Sequence, residues 1–254
     1  MKVTIERSVF LKALSHTQSV VEKRNTIPIL SNVLLQAGEG RLSLTATDLD
    51  MEIVESAPAD VAVEGAATAP AHTLYEIVRR LPDGAQARLD LSGDDPRLKL
   101  SAGRSDFALS VLPSEDFPIL PADDLGVNFT VPAAELARLI DKTRFAISTE
   151  ETRYYLNGVF LHPHVQDDGG VLRVVATDGH RLARVDTDLP EGAADMPGVI
   201  VPRKAVVELR RLLEDAEDQV QVSASDAKIR FSFGDVVLTS KLIDGSFPDY
   251  SRVF

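Results

Sequence analysis

Apolar residues recur at three- and four-residue steps in four stretches of the chain. These are Phe10, Leu11, Leu14 and Val21; Leu74, Ile77, Val78 and Leu81; Leu136, Leu139 and Ile140; and Val206, Leu209 and Leu213. Such spacing lines one face of an α-helix. A proline stands just before each of the last three stretches (Pro70, Pro132, Pro202), where its fixed φ suits a helix start and its missing N–H costs nothing. Ser8 is the expected N-cap of the first. Helices are therefore expected over 8–24, 71–81, 133–146 and 203–215.

Between these stretches the period falls to two, as in Leu42-Leu44-Ala46, Met51-Ile53, Leu98-Leu100, Phe107-Leu109-Val111, Val220-Val222 and Ile229-Phe231-Phe233. Alternation of this kind marks half-buried strands. Turn signals such as Gly38-Glu39-Gly40 and Asp83-Gly84 separate them. The expected unit is one helix followed by about three antiparallel strands, used four times.

A longer repeat overlies this one. LTATDLDMEI at 44–53 is echoed by VVATDGHRLA at 174–183, and SVLPSEDFPIL at 110–120 by SKLIDGSFPDY at 240–250, both at an offset of 130. LSNVLLQ and LNGVFLH, then FLKAL and ELARL, match in the same order. Ordered matches of this kind indicate a duplicated domain. The fold class expected is α+β: tandem domains over 1–121 and 129–250, each with two helices packed on antiparallel sheets, joined by the polar linker PADDLGVN at 121–128.

Composition narrows the function. The chain has no cysteine, which excludes a disulfide framework, a thiolate metal site and a cysteine nucleophile, and makes a reducing cytoplasm the default. No apolar run approaches the roughly 18 residues of a membrane span, and MKVTIERSVF lacks the apolar stretch of a secretion signal. The net charge of −12 argues against a simple basic nucleic-acid binder, yet its distribution is uneven. The four expected helices carry twelve Lys and Arg against seven acids, a net +5 that leaves −17 elsewhere. Basic helix faces turned the same way would form a positive surface on an acidic body, which would repel phosphates elsewhere.

Asp178, His180 and Arg181 in VVATDGHRLA raise the alternative of a hydrolase. Such chemistry needs a nucleophile or an activated water oriented by a third group. There is no G-x-S-x-G motif, and the His162–His164 pair, placed on a loop, is weak as a metal site. Asp48, Asp50 and Glu52 read as one solvated strand face rather than a magnesium site. No metal, cofactor or catalytic residue is expected. Because Thr47-Asp48 matches Thr177-Asp178, the shared pair is expected to build a turn in both copies, with the Asp accepting backbone N–H bonds. Gly179, His180 and Arg181 are what the second copy adds.

TIPILSNVLLQ, LSLTATDLDMEI, RYYLNGVFLH, VVATDGHRLA, VIVPRKAVVEL and SKLIDGSFPDYSRV together resemble the bacterial DNA polymerase sliding clamp family, the β subunit of the replicative polymerase III holoenzyme. The resemblance implies the DNA-clamp fold and a non-catalytic processivity factor that encircles duplex DNA as a homodimeric ring of three-domain chains. This sequence corresponds to the first two domains, without the third, and a closed two-chain ring of the family type is not expected from it alone. By the same resemblance, sequence-independent DNA contacts fall to Arg24, Tyr154, Tyr155, Arg203 and Lys204, with Lys12, Arg79 and Arg138 in lesser roles. A groove for short linear peptides of the replicative polymerase, the clamp loader and repair polymerases is implied at Leu156, Thr177, Gly179, His180, Arg181, Leu182, Pro248, Arg252 and Val253. Subunit contact is implied at Ile77, Leu81, Phe107 and Leu109, and no membrane partner is implied.

Overall fold

The computed structural model describes residues 1–22, 25–92, 97–121, 125–166, 169–216 and 218–253, the side chains of Gln166 and Val253 excepted. Two compact units divide the chain, the first made of Met1–Pro121 with Asp235–Val237 and the second of the remainder.

The first unit runs β1 (Lys2–Glu6), α1 (Arg7–Thr17), β2 (Asn32–Gly38), β3 (Arg41–Thr47), β4 (Met51–Pro58), β5 (Asp60–Val63), β6 (Gly65–Pro70), α2 (Ala71–Arg80), β7 (Gln86–Asp90), β8 (Arg97–Ala102) and β9 (Ser105–Ser110). Its strands form two runs, β5-β1-β7-β8-β9 and β4-β3-β2-β6. The second unit runs β10 (Val127–Pro132), α3 (Ala133–Thr143), β11 (Gly158–Gln166), β12 (Gly169–Thr177), β13 (Leu182–Asp188), β14 (Val199–Pro202), α4 (Arg203–Leu212), β15 (Gln219–Ala224), β16 (Lys228–Phe233) and β17 (Val236–Lys241). Here the runs are β10-β15-β16-β17 and β13-β12-β11-β14. The repeated element is thus a strand, a helix and three strands, with β5 as an addition in the first unit. The expected unit of one helix and about three strands lacked the strand that precedes each helix.

Each helix buries its apolar stripe against its own unit. Phe10, Leu14, Leu74 and Val78 are fully buried with Leu42, Leu44, Ile53, Leu89, Leu98 and Leu100. In the second unit Leu139, Val206 and Leu209 are buried with Val174, Ile200, Val222 and Phe231. Each such side chain contributes about 1.5–3 kcal/mol of transfer free energy, which is what holds these short helices in place.

Helix ends depart from the sequence reading in two ways. The N-cap of α1 is Glu6 rather than Ser8: its carboxylate accepts the N–H groups of Ser8 (2.8 Å) and Val9 (3.2 Å). The helix stops at Thr17, not 24, although Val20 and Val21 continue the apolar pattern and are buried. Thr17 Oγ1 donates to the Ala13 carbonyl (2.9 Å), and Thr143 Oγ1 donates to that of Leu139 (2.8 Å) where α3 ends. In both units a threonine hydroxyl takes up a carbonyl of the last turn, a bond that competes with helix continuation. Pro70, Pro132 and Pro202 each close a strand and stand as the N-cap itself, directly before the first helical residue.

Candidate functional site

Between β12 and β13 the chain turns through Thr177, Asp178, Gly179, His180 and Arg181. Asp178 Oδ1 accepts the N–H groups of His180 and Arg181, both at 3.0 Å, and its Oδ2 accepts from Arg181 Nε at 2.9 Å. Thr177 Oγ1 accepts from Gly179 N–H (3.1 Å) and donates to the Arg181 carbonyl (2.7 Å). The first unit builds the same turn between β3 and β4. There Asp48 Oδ1 accepts from Asp50 N–H (3.0 Å) and Met51 N–H (2.7 Å), while Thr47 Oγ1 accepts from Leu49 N–H (3.0 Å) and donates to the Met51 carbonyl (2.8 Å). The shared Thr-Asp pair is therefore a turn device. The backbone N–H bonds that Asp178 accepts, that of Arg181 foremost, hold its carboxyl at a pKa of about 2.

This occupancy decides the chemistry. Asp178 is committed to backbone N–H groups and the neighbouring hydroxyl of Thr177 to a carbonyl, so neither is available as base orienter or nucleophile. His180 is exposed, and its ring has no hydrogen-bond partner among the described residues. The arrangement pairs Asp178 with Arg181 and leaves the His180 ring facing outward, so no base is aimed at a nucleophile.

His180, Asp178 and Arg181 line a recess of about 280 Å³ shared with Arg144, Phe145, Glu150 and Arg203. The Arg181 guanidinium sits 5.7 Å from the centre of the Phe145 ring, itself 56% exposed, within range of a cation–π contact. Phe145 and Leu182 also line a second recess, beside Arg138, Lys142 and Arg184. Arg153 is held by Glu150 through two bonds (2.8 and 2.6 Å). A Cβ on Gly179, whose φ is +88°, would lie 2.5 Å from Arg153 Nη1. Sequence reasoning missed Arg144, Phe145, Glu150 and Arg153, because a turn at 144–153 and another at 177–181 meet only in the fold. The Glu150/Arg153 spacing of three was the one available signal.

The remaining expected groove residues divide. Leu182 is half-buried, and Pro248 and Arg252 are exposed, the latter paired with Asp249 (3.0 Å). Leu156 and Thr177 are buried at 4% and 8% exposure, so they support the site from beneath. The side chain of Val253 lies outside the described residues.

Among the expected DNA contacts, Arg203 opens α4, is exposed and pairs with no carboxylate among the described residues. Lys204 follows it, half-buried, and Lys12 is exposed on α1. Tyr154 and Tyr155 lie on a short 3-10 segment, edge to face at 5.7 Å, with Tyr154 54% exposed. Arg138 is tied to Glu135 by two bonds (2.9 and 2.6 Å), which draw the Glu135 pKa down to about 2, and Arg79 pairs with Glu76 (2.9 Å). Arg24 lies outside the described residues.

Three expectations change. Leu81 and Leu109 belong to the core of the first unit at 5% and 6% exposure, leaving half-buried Ile77 and exposed Phe107 as the accessible part of that set. Glu52 is buried, not on a solvated face, and accepts the Leu120 N–H (2.9 Å). His162 and His164 lie on strand β11, not a loop. Among the described residues no cluster of three or more metal-ligating side chains occurs, and no helix is long and apolar enough to cross a membrane.

Residues 1–121 match the family described as DNA polymerase III beta subunit, N-terminal domain, and residues 130–249 match its central domain. A β sliding clamp of Caulobacter vibrioides is 61% identical over 253 residues, covering all of this chain and 68% of the relative. That of Escherichia coli K12 is 44% identical over 254 residues with the same coverage. Among solved structures, Caulobacter crescentus pol III beta superposes with a TM-score of 0.97 over the whole chain and 69% of its own length. A sliding clamp from Bartonella birtlesii bound to griselimycin is 52% identical, with a TM-score of 0.96 over the whole chain and 68% of its own. With its duplicated units and outward-facing turn, the chain belongs to the β sliding clamp family, the non-catalytic β subunit of DNA polymerase III.

Proposed function

We propose that this chain supplies the first two domains, 1–121 and 129–250, of a cytoplasmic processivity ring that holds duplex DNA without reading it. In that ring it docks polymerases and the clamp loader through short linear peptides. The observation that carries the docking half is the difference between two otherwise equal turns. Only the second presents an exposed His and Arg beside a half-buried Leu182 and an open recess. An aliphatic wall with polar edges suits capture of a peptide's apolar anchor and orientation of its backbone. Exposed Arg203 and Tyr154, with half-buried Lys204, suit phosphate contact, where released counterions supply the affinity.

Griselimycin, bound by the Bartonella relative, is the probe for the groove. On its addition, amide NMR shifts are expected to cluster at Gly179, His180, Arg181, Leu182, Pro248 neighbours and Arg252. Shifts confined to the first unit would overturn the assignment.

A further inference from the structure

Residues 242–253 leave β17 and cross the outer face of the sheet β13-β12-β11-β14. Ile243 N–H donates to the Ile200 carbonyl on β14 (3.0 Å). Phe247 then stacks on Phe160 of β11, ring centres 5.0 Å apart and planes 6° from parallel. Room for the Phe160 ring comes from Gly198, where a Cβ would sit 2.8 Å from Phe160 Cζ.

Three residues further on, the hydroxyl of Tyr250 meets a polar row built into the sheet. His162, Arg173 and Asp186 are cross-strand neighbours on β11, β12 and β13. Arg173, 8% exposed, grips Asp186 through two bonds (2.8 and 2.9 Å). Tyr250 Oη lies 2.7 Å from His162 Nε2 and 3.5 Å from Arg173 Nη1. His162 Nδ1 is 2.8 Å from the Pro163 carbonyl, which can only accept, so the neutral ring carries its proton there. Nε2 is then the acceptor for the Tyr250 hydroxyl. Pro248 between these anchors and Arg252 just beyond them are exposed, and the bonds of Asp249 to Ser251 and Arg252 stay within the segment.

We propose that Tyr250 is a positioning residue of the peptide groove: through His162 and Arg173 it pins the segment that presents Pro248 and Arg252, so this wall is built before a partner arrives. A wall ordered in advance spares the bound state the cost of ordering it. The inference rests on the groove reading above.

The pin is also sensitive to pH. The groups facing His162 are His164 on its own strand, Arg173 and Asp186 on the neighbouring strands, and Tyr250 on the segment. Burial first, and Arg173 next, hold the His162 pKa below its ordinary value. The folded state therefore favours the neutral ring, and the pin is intact above the unfolded-state pKa. As pH falls through the lowered pKa, Nε2 gains a proton, Tyr250 loses its acceptor, and a second cation stands beside Arg173.

The test is griselimycin binding by calorimetry to wild type, Tyr250→Phe and Leu182→Asp between pH 5 and 8. Tyr250→Phe keeps the ring and removes only the hydroxyl. It is expected to bind about threefold to tenfold more weakly at pH 7.5, the range of one lost hydrogen bond. Amide exchange over 246–252 should be faster, and affinity should no longer fall with acid as the wild type's does. Wild-type affinity and pH profile in Tyr250→Phe, with binding abolished in Leu182→Asp, would overturn the positioning role alone. Unchanged binding in Leu182→Asp would overturn the groove reading, and the positioning role with it.

Discussion

Leu49 and Gly179 occupy the same position in the two copies of one turn and share the same left-handed backbone, at φ +79° and +88°. Their hydrogen-bond partners correspond as well, each N–H donating to the threonine two residues earlier. A leucine held there pays roughly 1–2 kcal/mol that a glycine does not. Leu49→Gly is therefore expected to stabilise the protein by about 1 kcal/mol, with Gly179→Ala destabilising it by at least as much. Urea denaturation measures both, and a destabilising Leu49→Gly would show that the leucine side chain, 37% exposed, contributes more than its backbone costs.

Asp178 is held at a pKa of about 2, below its ordinary 3.8, chiefly by the Arg181 N–H. A folded-state pKa below the unfolded one stabilises the turn above about pH 4, and that contribution is lost as pH falls through about 2. The side-chain carboxyl carbon of Asp178 should keep its neutral-pH NMR position at pH 3.5 and shift only below it. A titration midpoint near 3.8 would mean that the caps are absent in solution.

Arg203 and Arg138 are both exposed cations at helices, yet among the described residues only Arg138 of the two is gripped by a carboxylate. Arg203→Ala should reduce the slope of log K against log salt for duplex binding by about 0.9, the share of one phosphate contact. Arg138→Ala should change it by less than half as much. Equal changes would mean that Glu135 releases Arg138 to the DNA.

His16 Nδ1 lies 2.7 Å from Glu55 Oε2, with both side chains under a tenth exposed. His16→Ala leaves the carboxylate buried without that partner and should cost about 3 kcal/mol of stability. Chemical denaturation reads this directly. A loss under 1 kcal/mol would show that water or another group replaces the imidazole.

The duplication was legible because a turn with Thr-Asp chemistry needs the same two residues wherever it is built. Four helices were legible through their apolar stripes, and three of them also through proline starts. Where α1 ends was not, because Val20 and Val21 keep the helical period while packing from a turn. Glu52 misled for a related reason: alternation separates the two faces of a strand but does not tell which face another segment covers, and here Leu120 covers it. The recess at Arg181 is made from segments some thirty residues apart, a proximity that no local period encodes. The pinning of 247–250 onto β11 and β12 is likewise tertiary, and neither FPDY nor LHPH discloses its partner by itself.

The proposed function is DNA held without being read or altered. Its most direct measurement is the affinity for two 30-bp duplexes of unrelated sequence over a salt series, by fluorescence anisotropy. Equal affinities that fall linearly on a log–log plot are predicted, with both duplexes recovered intact. A sequence preference beyond about tenfold, an affinity indifferent to salt, or cleavage of either duplex would contradict it.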